Sequence, residues 1–299
     1  MPGRIDAHLE RALDRQNDLV NSLEENGSPR DLLDAYVNRA VVLSMMGYTV
    51  SAMDDLDSAE DIVTTLGEEV DQGTRARILT LRGHITGDMG DDPFGYYEDA
   101  FTHIANSDDR SRHFDLHSYV MECIVAAEFL NDFTHHDLAV DYVRRGLEVI
   151  GGKGDRWSLN HRMRLLNLGG EALLDGGDAA SALAMFDEAV GIGTELMERS
   201  SVDGYDEIMF SLVNRADCRI ALDDFDGYLR DAEVAVKFAE ELRDTGIMDM
   251  KDEIVRIHQE MAEVLMKRGD FKGAEKHLMS AMGISIDGAR EYIELHSQE

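Results

Sequence analysis

Residues 262–281 read AEVLMKRGDFKGAEKHLMSA. Two small residues, Ala262 and Ala274, bracket the pair Gly269–Asp270, and Leu278 follows four positions after the second alanine. Glycine adopts the left-handed backbone that ends many helices, and small residues allow two helices to approach closely. The stretch therefore predicts a helix, a tight turn, and a second helix that packs against the first.

This pattern recurs five more times along the chain. A small residue, here called the anchor, begins each copy, and successive anchors are 43, 44, 43, 46 and 46 residues apart. The anchors are Ala40, Gly83, Ala127, Gly170, Ala216 and Ala262. The turn residues seven positions past them are Gly47, Gly90, Thr134, Gly177, Asp223 and Gly269. Recurrence in phase indicates a repeat protein built from stacked helical hairpins.

Each copy also carries residues for the packing of its second helix. Small residues lie twelve and nineteen positions past the anchor, with an apolar residue at position sixteen. Small residues seven apart share one helix face and let the second helix approach the first. Tyr228 is the exception at position twelve, and Asp99 replaces the apolar residue in the second copy. We therefore expect the second hairpin to be the most loosely packed.

These positions resemble the signature of the tetratricopeptide repeat. The residues of the last copy that match it are Ala262, Leu265, Gly269, Asp270, Phe271, Ala274, Leu278 and Ala281. Those of the fourth copy are Gly170, Leu173, Gly177, Asp178, Ala182, Phe186 and Ala189. The resemblance covers residues 29–283 and implies an all-α, right-handed α-solenoid of six helical hairpins. The period exceeds the usual ~34 residues, which indicates a variant with longer helices.

Composition agrees with one continuous helical array. The chain has 299 residues, of which 43% are hydrophobic, and only three prolines. Because a solenoid grows by adding layers, we expect a single solenoid over residues 1–299. A capping helix is expected over 1–27, the six hairpins over 28–283, and a second capping helix over 284–299.

Charge and cysteine content limit the classes of partner and compartment. The chain contains 61 acidic and 29 basic residues, and its formal net charge is −32. Such a field repels phosphates and anionic lipids, so we expect neither nucleic acid nor membrane as a partner. Cys123 and Cys218 do not suggest a disulfide framework. The sequence shows no signal-peptide pattern and no apolar run of about 20 residues, which favours a cytoplasmic location.

The resemblance implies that the first helix of each hairpin lines a concave groove. On each first helix, the residues six and three positions before the anchor and one past it lie on one face. We call these residues the first-helix face. It combines carboxylates in successive copies with arginines and apolar residues, which suits a basic and apolar peptide. The predicted partner-binding residues are Arg77, His84, Ile124, Glu128, Arg164, Asn167, Glu171, Phe210, Val213, Asp217, Arg256 and Glu263.

Two smaller features suggest anion binding. Asn38 with Arg77, and Asn214 with Arg256, look like fragments of the clamp by which some tetratricopeptide domains hold a terminal carboxylate, although the second basic residue is missing from both. Arginines also cluster between residues 143 and 166, against the background charge. This basic patch consists of Arg144, Arg145, Lys153, Arg156, Arg162 and Arg164. It either binds an acidic ligand or pairs with the chain's own carboxylates.

No arrangement of residues indicates catalysis, a resident metal or a cofactor. The sequence therefore favours a non-enzymatic scaffold or adaptor that binds a peptide or helical segment in its groove. One alternative is a sensor, in which a small peptide or anion near Arg164 alters the superhelix. A second alternative is a structural repeat protein that self-associates through its end faces. The oligomeric state is left open.

Overall fold

The computed structural model describes residues 2–105, 116–199, 205–246 and 249–296. Within these ranges the regular secondary structure is helical and contains no strand. The chain forms two compact units, Met1–Val149 and Ile150–Glu299.

The first unit contains a capping helix and the first three hairpins. Helix α1 packs against α2, and the pairs α2–α3 and α4–α5 form antiparallel hairpins. In the third pair, Arg145 Nε on α7 donates a hydrogen bond to the Tyr119 hydroxyl on α6, at 2.8 Å. The helices are α1 (Pro2–Asn26), α2 (Pro29–Met45), α3 (Thr49–Leu66), α4 (Gln72–Asp88), α5 (Phe94–Ala105), α6 (Leu116–Asp132) and α7 (His136–Ile150).

The second unit repeats this architecture and ends in its own capping helix. Helices α8–α9, α10–α11 and α12–α13 pair as hairpins, and α14 packs against α13. The helices are α8 (Arg156–Asp175), α9 (Ala179–Arg199), α10 (Tyr205–Ala221), α11 (Phe225–Asp244), α12 (Lys251–Lys267), α13 (Phe271–Met282) and α14 (Ile286–His296). The predicted fold class, six hairpins between two capping helices, is thus confirmed.

All six anchors are buried on the first helices, where the second helix crosses them. Two of them are glycine, and an aromatic ring lies close to the backbone at each. A Cβ atom at Gly170 would lie 2.5 Å from the Phe186 ring, and one at Gly83 would lie 3.0 Å from the Tyr97 ring. The distance at Gly170 is too short for real carbon atoms, and the distance at Gly83 would require the Tyr97 ring to shift by a few tenths of an ångström, so packing favours a small anchor.

Every first helix ends in the same hydrogen-bonded turn. The residue seven past the anchor has a positive φ in all six copies, between 60° and 86°. The backbone N–H one residue later donates to the carbonyl three past the anchor, at 2.7–3.1 Å. This is the Schellman arrangement that satisfies carbonyls at a helix end. Thr134 and Asp223 adopt it without being glycine.

The second hairpin departs from the predicted register. Its turn is two residues longer, so Gly95 and Asp99 are exposed while Tyr97 and Ala100 are fully buried. The expectation that Asp99 interrupts the packing was wrong, because the insertion turns this carboxylate to the surface. Tyr97 instead takes the place that position twelve occupies in the other copies.

Buried ion pairs join the two helices of the first and fifth hairpins. Arg39 donates two hydrogen bonds to Asp55, at 2.7 and 2.6 Å. Arg215 donates two to Asp231, at 2.9 and 2.6 Å. Both arginines directly precede an anchor and both aspartates lie fifteen positions past it, so the two pairs are equivalent. We call this arrangement the arginine clasp.

Candidate functional site

The first-helix face consists of three rows of side chains with different exposure. The row three positions before the anchor is buried in five of its six copies: Val37, Thr80, Ile124, Asn167 and Val213. Residues three apart point in nearly the same direction on a helix. The side chains of this row therefore point in nearly the same direction as the anchor and pack between the helices.

Three predicted partner-binding residues, Ile124, Asn167 and Val213, are therefore placed in the interior rather than on the exposed surface of the first helices. Ile124 is fully buried, and Val213 is 7% exposed. The Asn167 amide joins two helices: its Nδ2 donates to Glu207 Oε2 at 3.0 Å, and its Oδ1 accepts from the Ser211 hydroxyl at 2.7 Å. These three residues support the scaffold that carries the exposed rows.

The outer two rows retain accessible side chains. Six positions before the anchor, Met121 and Phe210 are 37% and 41% exposed. The arginines of that row, Arg77, Arg164 and Arg256, are half-buried. In the row one past the anchor, Glu263 is exposed and the others are half-buried: His84, Glu128, Glu171 and Asp217.

In the first unit, Arg77 on α4 interacts with residues of two other first helices, α2 and α6. Its Nη2 donates to Asn38 Oδ1 at 3.2 Å, across α2 and α4. The half-buried Glu122 on α6 lies within its electrostatic reach. Burial raises the pKa of Glu122 to about 7, and the positive charge of Arg77 opposes that rise. Glu122 is therefore a carboxylate that gains or loses a proton near neutral pH.

His84 lies on the same face and is positioned by neighbours within the first unit. Its ring meets Phe129 edge-on, with ring centroids 5.0 Å apart. Its Nε2 lies 3.4 Å from an Asp88 carboxylate oxygen, one helical turn along α4. The histidine is therefore fixed by aromatic packing on one side and by a carboxylate on the other.

In the second unit, the amides and arginines of the face bind the chain's own carboxylates. Asn214 Nδ2 donates to Glu171 Oε1 at 3.0 Å. Arg256 donates to Glu253 at 2.6 and 3.2 Å and to Glu260 at 2.5 Å. A terminal carboxylate would have to displace these acids, so Asn214 and Arg256 do not form a preformed carboxylate clamp.

Asp217 lies near these groups in an unfavourable environment for its charge. Burial raises the pKa of Asp217 to about 6, and the carboxylates of Glu260 and Glu253 add to the rise. The guanidinium of Arg256 opposes it. The acidic row thus contains at least one carboxylate whose negative charge would be stabilised by an additional cation.

The predicted basic patch is distributed over both compact units. Arg144 and Arg145 belong to the first unit, where they pair with Asp141 at 3.3 Å and with Glu148 at 2.7 Å. The members in the second unit are Lys153, Arg156, Arg162 and Arg164.

Among those members, Arg162 forms an ion pair with Glu188 and donates to the Gly151 carbonyl at 3.0 Å. Lys153 and Arg156 are exposed. The ion pairs of Arg144, Arg145 and Arg162 are those expected if the basic patch neutralises the chain's own surplus acids. An anionic ligand would have to compete with them.

Comparisons with known proteins identify the fold. No protein-family model matches the sequence, and no curated protein is similar to it. The structure is similar to the apo form of RapI, with a TM-score of 0.62, 11% identity, and coverage of 91% of this chain and 75% of that one. It is also similar to BtubC from P. vanneervenii, with a TM-score of 0.58, 18% identity, and coverage of 79% and 92%.

A third similar structure is the C-terminal part of a TPR repeat-containing protein from Cytophaga hutchinsonii. Its TM-score is 0.54 and its identity 16%, with coverage of 93% of this chain and 95% of that one. The chain has a tetratricopeptide-like fold. At these identities the likeness concerns the fold, so the use of this tetratricopeptide-like chain must be argued from its own residues.

Several features of the tetratricopeptide-like chain were not predicted from its sequence. The sequence does carry a signal for the arginine clasp, since arginine precedes three of the six anchors: Arg39, Arg82 and Arg215. The sequence carries no comparable signal for the half-buried Glu122, because its position lies outside the three rows. Within the described residues, no group of three or more histidines, cysteines and acids is placed to hold a metal. No described helix combines the length and apolar character needed to cross a membrane.

Proposed function

We propose that this chain is a non-catalytic interaction module that binds a protein segment on its first-helix face. The segment is a peptide or an amphipathic helix that carries basic and apolar residues. Stacked hairpins support this class of function because they present an extended surface rather than an enclosed pocket. The proposal assigns no reaction, cofactor, nucleic acid or membrane to the chain, and its location is proposed to be cytoplasmic.

The supporting observation is a pairing of apolar and acidic side chains that occurs once in each unit. On α6, the exposed Met121 lies seven residues before Glu128, and on α10 the exposed Phe210 lies seven before Asp217. Seven residues are about two helical turns, so each pair shares one face. Exposed apolar side chains provide affinity, while carboxylates attract basic residues and orient them.

The experiment compares partner capture by charge variants of the full chain. Glu128→Gln, Glu171→Gln and Asp217→Asn together remove three charges from the first-helix face with little change of shape. The matched control removes three charges from exposed positions on second helices, by Asp61→Asn, Glu198→Gln and Glu241→Gln. Both variants are first shown to retain the helical circular dichroism and thermal transition of the wild type.

We expect a protein captured from native lysate by the wild type and by the control variant to be lost with the first-helix variant. Higher salt should weaken the capture, since it screens the attraction between charges. Equal recovery by all three proteins would contradict the proposal. The sensor alternative predicts instead that a small peptide alone raises the thermal midpoint of the free chain.

Self-association is a second candidate because the C-terminal capping region exposes apolar side chains. Met282 and Ile286 are each 43% exposed, and Leu295 is 69% exposed. A terminal repeat that exposes its apolar face favours stacking with another copy. Light scattering over a hundredfold range of concentration tests this directly. A constant monomer mass would exclude it.

A further inference from the structure

Two histidines meet across the sixth hairpin. His258 lies on α12 and His277 on α13, and their Nδ1 atoms are 3.0 Å apart. The ring centroids are 5.2 Å apart, and the ring planes are inclined by 43°. Both side chains are half-buried, so water can still reach part of each ring. The same nitrogen of each ring therefore faces the other ring at a site that a small solute can enter.

This histidine pair lies where other hairpins have the arginine clasp. His277 is fifteen positions past its anchor, as Asp55 and Asp231 are in the first and fifth hairpins. The arginine that precedes the anchor in those hairpins is replaced by Met261 in the sixth. An ion pair therefore joins the helices of the first and fifth hairpins, whereas two imidazole rings meet in the sixth.

The separation of the two nitrogens suits a shared metal ion. Imidazole nitrogens bind transition metals at about 2.0–2.1 Å. Two nitrogens 3.0 Å apart, each at that distance from one ion, subtend an angle of about 91–97° at the ion. Adjacent ligands in tetragonal and octahedral sites are ~90° apart, whereas a tetrahedral site requires ~109°. The geometry thus favours Cu²⁺ or Ni²⁺ over Zn²⁺.

The protonation of the pair agrees with this role. Burial lowers the pKa of both His258 and His277, so both rings are neutral at pH 7.5. Moving the shared hydrogen from Nδ1 to Nε2 of the same ring frees both Nδ1 lone pairs without net loss of a proton. Lys276 disfavours a cation here, whereas the carboxylates of Glu233 and Glu240 on α11 favour one.

We infer that His258 and His277 chelate a divalent transition-metal ion of the Cu²⁺ or Ni²⁺ class through their Nδ1 atoms. The ion joins α12 to α13, as the arginine clasp joins the helices of the first and fifth hairpins. Within the described residues, no group of three or more histidines, cysteines and acids is placed to hold a metal. Water therefore completes the coordination, and the ion exchanges with solution. This site is independent of the proposed binding function.

The site is tested by titrating Ni²⁺ into the full chain at pH 7.5, with isothermal titration calorimetry. His258→Gln and His277→Gln each remove one imidazole and keep a polar side chain. Either variant should weaken binding at this site at least about tenfold, since loss of an outer-shell partner already has an effect of that size. The matched control is His161→Gln on α8, because this half-buried histidine stacks on Trp157 rather than on a second histidine. The control should bind Ni²⁺ as the wild type does.

The double variant distinguishes one shared ion from two separate ions. If both rings bind the same ion, each single variant and the double variant lose the same single equivalent of Ni²⁺. Two independent sites would lose two equivalents in the double variant. Electron paramagnetic resonance with substoichiometric Cu²⁺ examines the wild type directly, and it should show hyperfine coupling to two imidazole nitrogens.

Ni²⁺ should also raise the thermal midpoint of the wild type and of His161→Gln, but not that of the pair variants. In buffer with a chelator, the midpoints of the pair variants should remain close to that of the wild type. Unchanged Ni²⁺ affinity in both single variants, or coupling of Cu²⁺ to one nitrogen in the wild type, would overturn the inferred site. A loss of two equivalents in the double variant would overturn it as well, and the contact between the rings would then be a hydrogen bond alone.

Discussion

Glu122, on the first helix α6, shows how a single residue couples stability to pH. Burial raises the pKa of this carboxyl from 4.5 to about 7, despite the nearby Arg77. The folded state therefore binds the proton more tightly than the unfolded state does. Stability contributed by the protonated form is complete below pH 4.5, and it is lost as pH rises to about 7.

We expect Glu122→Gln to stabilise the protein at pH 8, because glutamine keeps the shape without the buried charge. The gain should reach roughly 3 kcal/mol, as implied by the pKa shift. Urea unfolding at several pH values measures it. At pH 4.5 the variant and the wild type should be nearly equal, and a gain that does not grow between pH 4.5 and 7 would contradict the assignment.

Thr134 carries strain that a glycine would relieve. Its φ of 64° lies in the left-handed region, which disfavours a β-branched residue. Thr134→Gly should stabilise the chain by roughly 0.5–1 kcal/mol, after the extra entropy of an unfolded glycine is deducted. Thermal unfolding measures the change, and Thr134→Ala is the control that keeps Cβ. The glycine variant melting below the alanine variant would contradict this reasoning.

At the scale of a helix pair, the arginine clasp is expected to matter more than other ion pairs. Asp231 accepts from both Arg215 and Arg219, and it is 6% exposed. Asp231→Asn leaves two guanidinium groups without their buried partner, which should cost about 3–5 kcal/mol. The matched control is Asp187→Asn, since exposed Asp187 also accepts from Arg215, at 3.0 Å.

Urea unfolding distinguishes the two aspartates. Loss of the exposed pair through Asp187→Asn should cost less than about 1 kcal/mol, because water replaces the interaction. Similar costs for both substitutions would show that burial does not determine the strength of the clasp. The variant Arg215→Met with Asp231→Leu should recover part of the loss, since it removes the shared carboxylate together with one of its two guanidinium partners.

The helix pairs also show which parts of the fold a repeat pattern predicts. Small anchors and turn residues were recognisable because backbone geometry restricts the residues that fit, as Gly170 under the Phe186 ring illustrates. The register of α5 was not predicted, because fixed spacing assumes equal turns and this turn is two residues longer. Tyr97, not Gly95, is therefore the residue that packs there.

The exposed side of the first helices was predicted in outline and corrected in detail. Counting in steps of three and four selected one side of each first helix, which correctly located exposed residues such as Met121 and Phe210. The same steps also selected Ile124 and Asn167, which lie three positions before an anchor and therefore point into the interface. Sequence spacing alone does not say where an exposed helix face ends, since the packed neighbour decides it.

For the whole chain, the dominant physical fact is a formal net charge of −32. Mutual repulsion among surplus carboxylates opposes the compact state, and salt screens it. We expect the thermal midpoint at pH 7.5 to rise when NaCl is increased from about 0.05 to 0.5 M. A gain of roughly 2 kcal/mol corresponds to a shift of about 4–8 °C.

The same salt titration should have the opposite effect on partner binding. Screening relieves repulsion within the chain, but it weakens attraction between the acidic face and a basic segment. The stabilising effect should shrink at pH 5, closer to the isoelectric point of about 4.5, where the net charge is smaller. If NaCl lowered the thermal midpoint at pH 7.5, attractive pairs such as the arginine clasp would outweigh the repulsion. If NaCl strengthened capture of the partner, apolar contacts such as those of Phe210 would dominate recognition. The acidic residues one position past the anchors would then contribute to solubility rather than to binding.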